Sequence, residues 1–421
     1  MKSPIGTAPV IVAARRTPFT RVGGRLRHLD ALALGQVVVD DLIDELDLAS
    51  VDQSRWQLLW GSALPYPDTW YGGRAIAIAS GFPNVDGSAV EYACATSIRT
   101  AADGLRQLVL GEADVVIAGG SDSLSHHPLV SSAEIGNLAR MPAEMRTGDS
   151  LAAYSVEDVL PRLMPIAEPY TSHTLAYHAD EMMQQWGVSR TDADAFVVQG
   201  HHRAAASRQS LAKRMVAPED NELVDDYVRA DTSAEVLATL RTVNPEMGGV
   251  TVGNASRFTD GGAAVVLATN EAAKRHGWRP QGVIRSFALG AHDPTVGVLM
   301  GPAMTMPRAL EQAGITWSDI DVIDLHEAFS GQVLANLAAL GSREFMENMG
   351  LGGQWSTEIG PDRINQWGGS VALGHPFGAT GSRLIMQVLD QLEANGSQFG
   401  VLGVCAGGSR GAAMVIERVT S

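Results

Sequence analysis

Two cysteines and two histidines lie where the sequence predicts strand ends or glycine-rich loops. The first, Cys94 in VEYACATSIRTAADGL, follows a short apolar strand and precedes a helix. The dipole and free N–H groups of a helix N-terminus lower the pKa of a thiol, so Cys94 is a candidate nucleophile. A core cysteine at a packed turn between a strand and a helix would give the same local pattern.

Both histidines lie in segments whose pattern indicates a functional site. His326, in DLHEAFSGQVLAN, comes directly after a predicted strand, and the next helix is expected to begin near Glu327. Proteins of the α/β class place their sites at strand ends. His375 lies among glycines in GGSVALGHPFGATGSR, which implies close backbone approach by a ligand or another segment. Taken singly, a core or helix-capping histidine and an irregular turn remain alternatives.

The second cysteine ends a buried strand. In GVLGVCAGGSRGAAMVIE, Cys405 meets Gly407 and Gly408, whose backbone N–H groups could stabilise an oxyanion. The stretch 407–411 also matches the nucleophile elbow of hydrolases. In those enzymes the acid and the histidine follow the serine, whereas the ten residues after Gly411 include neither His nor Asp. Both cysteines of the chain lie at a predicted strand end or glycine-rich loop. This favours the interpretation that they are functional over the alternative of two core thiols.

Strands alternate with helices along the chain, which indicates an α/β fold. The pattern predicts strands over 9–13, 57–60, 115–118, 322–325 and 400–404, and helices over 32–46, 104–110, 190–213, 307–313 and 383–394, with Pro307 starting its helix. VVIAGGSDS and VLGVCAGGS share a strand, a Gly-Gly pair and a Ser, which suggests that one α/β unit is duplicated. The predicted domains are an N-terminal half over 1–120, completed by about 250–270, a loop or cap domain over 121–249, and a C-terminal half over 271–421.

Composition excludes several classes of function. The formal net charge of the 421 residues is −16, and no basic stripe is visible, which argues against nucleic-acid binding. No uncharged apolar run approaches the ~20 residues of a membrane helix, and the run at 8–14 resembles a strand more than a signal peptide. We therefore expect a cytoplasmic enzyme without a disulfide. The pairs His126-His127 and His201-His202 lack other ligands at metal-binding spacing, so they are predicted to be solvated and no metal site is expected.

These segments together resemble the thiolase family. The blocks around the four residues occur in the family's order, and the resemblance covers nearly the whole chain. The blocks ARRTPF, GNASRFTDGGAA and MGPA (Met300–Ala303) agree as well. The HEAF block that begins at His326 looks like the thiolase subunit of bacterial and mitochondrial fatty-acid oxidation complexes, whereas many other thiolases carry Asn at this position.

The resemblance implies a five-layer αβαβα fold, in which two similar halves bring the N-terminal ends of their central helices together under an inserted loop domain. It implies acyl-CoA and coenzyme A as substrates, no further cofactor, and a homodimer or homotetramer. The HEAF block adds a hydratase/dehydrogenase subunit as a candidate partner.

Roles for single residues also follow from the resemblance. Cys94 is the nucleophile that becomes acylated, His375 is the base that activates it, and Cys405 is the acid/base for the second thioester. His326 and His375 form one oxyanion hole, and the backbone N–H groups of Cys94 and Gly407 form the other. Two substrate-binding residues are expected: Ser256, along the pantetheine channel, and Met300.

The expected reaction is thiolytic cleavage of a 3-ketoacyl-CoA to acetyl-CoA and a shortened acyl-CoA. The alternatives are biosynthetic acetyl-CoA acetyltransfer, a decarboxylating ketoacyl synthase, for which Cys405 would be superfluous, and a non-catalytic acyl-CoA-binding subunit. The chain departs from the family at Leu175-Ala176, where Met-Gly is usual, and at Ser409 and Arg410. We expect Arg410 to tune Cys405 or to pair elsewhere, and the alternative is an arginine at the surface or at an interface.

Overall fold

The computed structural model describes residues 8–131, 136, 140–142, 155, 160–218 and 221–419. Its strands are β1 Val10–Arg16, β2 Thr20–Arg21, β3 Trp56–Gly61, β4 Asp86–Val90, β5 Val115–Asp122, β6 Leu129–Val130, β7 Arg162–Leu163, β8 Thr259–Ala268, β9 Gly282–Ala291, β10 Val322–Leu325, β11 Phe399–Ala406 and β12 Arg410–Arg418.

In the same part of the chain, helices lie between these strands, singly or in consecutive groups. They are α1 Ala31–Leu46, α2 Gly73–Ala79, α3 Thr96–Leu110, α4 Leu175–Gln185, α5 Arg190–Ala206, α6 Arg208–Ala212, α7 Ala234–Ala238, α8 Asn270–His276, α9 Gly301–Ala313, α10 Ser330–Gly341, α11 Arg343–Asn348, α12 Ser370–Leu373 and α13 Thr380–Asn395. None of them is long and apolar enough to cross a membrane.

The strand order repeats between the two halves of the chain. The N-terminal strands lie in the order β4-β3-β5-β8-β1, and the C-terminal strands in the order β10-β11-β12-β9. The two sets meet through one pair of residues, Ile11 opposite Gly282. Each half uses its first strand, a helix, a parallel strand, a second helix, another parallel strand and a closing antiparallel strand. This is the arrangement that duplication of one α/β unit requires.

Helices α3 and α13 form the middle layer of the molecule. Ile98 of α3 and Leu384 of α13 belong to one buried cluster that also takes Val116 from β5 and Leu402 from β11. Alternate residues of a strand point to opposite faces of the sheet. One face of each half-sheet therefore packs on the two central helices.

The opposite faces carry the outer layers. On the N-terminal side, Val115 and Ile117 of β5 pack with Leu42 of α1. On the C-terminal side, Val401 of β11 packs with Leu310 of α9. The order of layers is therefore helix, sheet, helix, sheet, helix, which confirms the predicted five-layer αβαβα fold.

Several element boundaries differ from the prediction. The strand from Val115 runs through two glycines to Asp122, because both lie in a fully buried ladder with β8. Pro307 lies inside α9, and Pro302 occupies its first turn instead. The helix predicted over 190–213 is interrupted at Ser207 between α5 and α6. Helix α10 begins at Ser330, so the segment around His326 is an extended loop.

Candidate active site

Cys94 lies in a turn at the entrance to the central helix α3. The turn covers Ala93–Ala95, and Ala93 has a positive φ of 46°. Thr96 fastens the turn, since its hydroxyl donates to the carbonyl of Ala93 at 2.7 Å and accepts from the N–H of Tyr92 at 2.9 Å. The side chain of Cys94 is thereby held at the helix N-terminus with only 8% of its surface exposed.

His375 approaches from the other half of the chain. Its backbone N–H donates to the carbonyl of Arg257 at 2.9 Å, and α13 begins five residues later. Its Nε2 lies 3.2 Å from Sγ of Cys94, and its Nδ1 lies 2.7 Å from the hydroxyl of Thr380. When Nδ1 carries the proton and donates to Thr380, Nε2 is free to accept the proton of the thiol.

Close contact between the two central helices brings these residues together. The N–H of Ser382 in α13 donates to the hydroxyl of Ser97 in α3 at 2.8 Å. A Cβ added at Gly381 would lie 2.7 Å from the backbone nitrogen of Ile98. Only glycine at position 381 allows this approach, so it sets the distance between the two helix N-termini.

His326 completes the cluster from the loop after β10. Its backbone N–H donates to Gly403 at 2.8 Å, and its ring lies 4.1 Å from the ring of His375, centroid to centroid. Sγ of Cys94 and one ring nitrogen each of His326 and His375 lie within 4.8 Å of one another. The sequence had predicted these three residues as neighbours, and the structure brings them together.

Cys405 occupies the end of β11, fully buried. Burial raises the pKa of Cys405 well above its usual range, the nearby Cys94 sulfur raises it further, and the backbone N–H groups of Cys405 and Ala328 offset part of the rise. The backbone N–H of Gly407 interacts with the sulfur of Cys94. The two cysteine segments are therefore adjacent, and a Cβ added at Gly407 would lie 3.8 Å from the Cβ of Ala93.

Burial dominates the electrostatics of the cluster. It raises the pKa of Cys94 to about 12, and the N–H groups of Gly407 and Cys94 offset only part of that rise. The prediction of a lowered thiol pKa was therefore wrong, because desolvation outweighs the helix N-terminus. Burial also lowers the pKa of His375 to about 3 and that of His326 well below its usual range. The free site thus holds neutral thiols beside neutral imidazoles.

Asp122 is a buried carboxylate, not predicted from the sequence, that connects the two halves of the chain next to the site. Asp122 accepts hydrogen bonds from the N–H groups of Gly378 at 2.7 Å, Ala63 at 3.0 Å and Leu64 at 3.1 Å. Burial raises its pKa to about 7. Its position two residues after the Gly-Gly pair of β5 was the available signal.

Arg410 forms a second connection, between the Cys405 segment and the residues that precede Cys94. Its Nε donates to the carbonyl of Gly407 at 2.9 Å, and its Nη2 lies 3.2 Å from a carboxylate oxygen of Glu91. Its guanidinium also lies 4.6 Å from the ring centre of Tyr92. Arg410 therefore pairs elsewhere than with Cys405, since its polar partners are the Gly407 carbonyl and the Glu91 carboxylate beside the Cys94 turn.

The two predicted substrate-binding residues differ in environment. Ser256 is half-buried, and its N–H donates to the carbonyl of Ala328 at 2.9 Å, next to the His326 loop. Met300 is fully buried at the start of α9. Leu175, at the start of α4, packs against the cluster that contains Phe329.

The paired histidines outside the site have local partners. His126 lies 2.9 Å from the hydroxyl of Ser123, and His127 lies 2.8 Å from the carbonyl of Met164. His202 lies 3.2 Å from the carbonyl of Thr232. His201 is only 6% exposed and accepts from the N–H of Arg229, so the prediction that it is solvated was wrong. Burial lowers its pKa to about 4.

Comparison with known proteins extends this picture to the whole chain. Residues 9–271 match the family model of the thiolase N-terminal domain, and residues 278–418 match that of the thiolase C-terminal domain. The 3-ketoacyl-CoA thiolase of Escherichia coli strain 55989 is 36% identical over 426 residues, covering 98% of this chain and 97% of that protein. The 3-ketoacyl-CoA thiolase of Photobacterium profundum is 35% identical with the same coverage.

Solved structures share the fold over the same length. Human mitochondrial 3-ketoacyl-CoA thiolase superposes with a TM-score of 0.82 at 24% identity, covering 99% of this chain and 100% of that one. The acetyl-CoA acetyltransferase of Bacillus anthracis superposes with a TM-score of 0.81 at 25% identity, covering 98% and 99%. The layered fold, the clustered cysteine and histidines, and the matches to both domain models identify the chain as a member of the thiolase family.

Proposed function

We propose that the protein is an acyltransferase that uses coenzyme A to cleave 3-ketoacyl-CoA into acetyl-CoA and a shortened acyl-CoA. The observation that carries the proposal is the 3.2 Å contact between Nε2 of His375 and Sγ of Cys94. A thiol with a base at this distance is the arrangement that nucleophilic catalysis at a thioester or ketone requires.

The first half-reaction forms an acyl-enzyme. Nε2 of His375 takes the proton of the Cys94 thiol as the sulfur attacks the 3-keto carbon of the substrate. The bond between C2 and C3 then breaks, and its electron pair passes to C2 to give the enolate of acetyl-CoA. Cys405 donates its proton to C2, and acetyl-CoA leaves. The enzyme then holds an acyl thioester on Cys94, a protonated His375 and a Cys405 thiolate.

The second half-reaction restores the enzyme. Free coenzyme A gives its thiol proton to Cys405 and attacks the acyl thioester. Cys94 leaves as a thiolate and recovers its proton from His375, so that atoms and charges balance over the cycle. Both cysteines are buried. A buried site has a low dielectric constant, which strengthens every hydrogen bond to the transient charges of the reaction.

Two sets of donors stabilise the negative oxygen atoms that form. Neutral His326 contributes an N–H to one set, beside His375. The backbone N–H groups of Cys94 and Gly407 form the other set, because Gly407 already faces the Cys94 sulfur. Donors fixed before the reaction cost no reorganisation when charge develops.

The degradative direction is favoured over the biosynthetic one by two observations. The relatives at 35–36% identity carry the name 3-ketoacyl-CoA thiolase, and the His326 block has the HEAF form of fatty-acid oxidation thiolases.

Coenzyme A is the ligand in a human mitochondrial 3-ketoacyl-CoA thiolase complex that shares this fold with a TM-score of 0.82. Ser256, half-buried beside the His326 loop, is our candidate for contact with pantetheine.

An assay of coenzyme A-dependent cleavage tests the proposal. The purified protein is given acetoacetyl-CoA and a long-chain 3-ketoacyl-CoA, with Cys94→Ala as the control. We expect cleavage of the long-chain substrate that is lost in the variant. Cleavage of acetoacetyl-CoA alone would instead support the acetyltransferase alternative. No cleavage of either by folded protein would contradict the proposal.

We also propose that the protein acts in the cytoplasm as a homodimer or homotetramer. Within the described residues, the edge strand β4 is paired on one side only, with β3, and the nearby Trp70 and Tyr71 are 75% and 72% exposed. Light scattering coupled to size-exclusion chromatography measures the mass of the assembly. Co-purification with a tagged hydratase/dehydrogenase subunit tests the candidate partner.

A further inference from the structure

We propose that Ser370 is a positioning residue that fixes the tautomer of His326, so that His326 presents an Nε2–H group to the substrate oxyanion. The inference deepens the proposed function, on which it rests. It starts from a relay of three buried side chains, in which Arg383 contacts Ser370 and Ser370 contacts His326.

The first link of the relay has a known direction. Nη2 of Arg383 lies 2.7 Å from the hydroxyl oxygen of Ser370. A guanidinium only donates hydrogen bonds, so the serine oxygen is the acceptor here. Ser370 is fully buried, and Arg383 is only 1% exposed.

The second link then follows from hydrogen-bond accounting. The hydroxyl oxygen of Ser370 lies 2.9 Å from Nδ1 of His326, and within the described residues the hydroxyl has no other acceptor. The proton of Ser370 is therefore satisfied only if Nδ1 of His326 accepts it. In a neutral imidazole with an accepting Nδ1, the proton is on Nε2.

The opposite tautomer would leave two buried atoms without partners. A proton on Nδ1 would point at Ser370, whose own hydroxyl proton would then have no acceptor. Nε2 of His326 would become a buried acceptor, and it has no partner among the described residues. The Nε2–H tautomer leaves only the Nε2–H group without a partner and satisfies the Ser370 hydroxyl. Since buried polar groups are nearly always hydrogen bonded, this tautomer is favoured.

The unpartnered Nε2–H is suited to the chemistry of the site. The His326 side chain is fully buried and belongs to the cluster with Cys94 and His375. An unsatisfied donor in such a place has a natural partner in an oxygen atom that gains negative charge during the reaction. Arg383 is held in turn by Oε1 of Gln387 at 3.2 Å and by the nearby charges of Asp324 and Glu327.

The test compares Ser370→Ala in two backgrounds. In the otherwise unchanged protein, where His326 needs its tautomer fixed, we expect Ser370→Ala to lower kcat by about 10- to 100-fold with little change in KM. In a His326→Asn background the amide always carries N–H donors, so adding Ser370→Ala should change kcat by less than about twofold. An equal loss in both backgrounds, or no loss in either, would overturn the proposal.

A second measurement does not depend on activity. Nitrogen-15 NMR of the histidine-labelled protein reports which ring nitrogen of His326 is protonated, with His326→Asn identifying its signals. We expect the Nε2–H form in the unchanged protein and a shift toward Nδ1–H in Ser370→Ala. An Nδ1–H form in the unchanged protein would overturn the inference even if the enzyme is an active thiolase. If the protein shows the expected tautomer but cleaves no 3-ketoacyl-CoA, the relay is supported and the proposed function is rejected.

Discussion

Nε2 of His375 lies 3.2 Å from the sulfur of Cys94, although 281 positions separate the two residues in the sequence. Burial acts on both partners in the direction of neutrality, since it raises the pKa of the thiol to about 12 and lowers that of the imidazole to about 3. In the free enzyme the Cys94 thiol and the His375 imidazole are therefore both neutral, and the proton moves to His375 only as the sulfur attacks.

This neutral pair predicts how Cys94 reacts with iodoacetamide. Because only the thiolate reacts and the thiol pKa is raised, the alkylation rate should rise about tenfold per pH unit between about pH 7 and 9, without a plateau. Peptide mass spectrometry separates Cys94 from the buried Cys405. A plateau below about pH 8 would indicate a thiolate and imidazolium already formed in the free enzyme.

Replacement of Cys405 should separate the two kinds of chemistry at the site. In Cys405→Ala the Cys94–His375 pair is intact, and a coenzyme A thiolate needs protonation far less than an enolate carbon does. The acyl group of an acyl-CoA should therefore still transfer to Cys94, with only a small loss of rate. Cleavage of the carbon–carbon bond needs the missing acid, so its rate should fall by about 10²- to 10⁴-fold. Measuring both rates on one preparation checks this. Equal losses of the two rates would contradict a separate acid role for Cys405.

The glycine between the central helices predicts a matched pair of variants. In Gly381→Ala the new Cβ would lie 2.7 Å from the backbone nitrogen of Ile98, so we expect a loss of about 1–3 kcal/mol in the free energy of unfolding, together with lower activity. A Cβ added at Gly200, inside α5, would meet no atom within 4 Å, so Gly200→Ala should stabilise by about 0.5–1 kcal/mol. Urea denaturation measures both. Destabilisation of the same size at both positions would refute the packing argument.

Arg410 should matter more for catalysis than for stability. The Arg410 and Glu91 side chains are 26% and 56% exposed, so breaking their ion pair in Arg410→Gln should cost less than about 1 kcal/mol of unfolding free energy. The variant also loses the bond to the Gly407 carbonyl, so we expect kcat to fall by about three- to tenfold as the oxyanion donor loses its position.

Glu91→Gln is the matched control for this variant. It removes the ion pair and leaves the bond from Arg410 to Gly407, so kcat should stay within about twofold of the unchanged protein. If Arg410→Gln kept full activity, or if both variants lost it equally, Arg410 would not act through Gly407.

Local signals in the sequence predicted the four chemical residues and an α/β fold, and the five layers were implied by the resemblance to the thiolase family. Cys94 precedes a helix, His326 and Cys405 mark strand ends, and His375 lies among glycines. The repeated order of strands and helices was visible in the same way. These features depend on neighbours in the sequence, so they can be read without knowing the tertiary structure.

The sequence could not predict properties that arise between distant segments. The raised pKa of Cys94 results from burial under the second half of the chain, which outweighs the local effect of the helix N-terminus. The role of Asp122 follows from its contact with Gly378, 256 positions away, and that of Ser370 from its contacts with His326 and Arg383, 44 and 13 positions away. Pro307 starts no helix because the chain already turns into α9 at Gly301.

The central claim is that Cys94 carries the acyl group between the two half-reactions. We would mix the protein with a 3-ketoacyl-CoA in the absence of free coenzyme A, quench it with acid and locate the added mass by peptide mass spectrometry. The account predicts the mass of the shortened acyl group on the Cys94 peptide, its loss when coenzyme A is added before quenching, and no adduct in Cys94→Ala. Cleavage of the substrate without an acyl group on Cys94, or with an adduct on Cys405 alone, would contradict it.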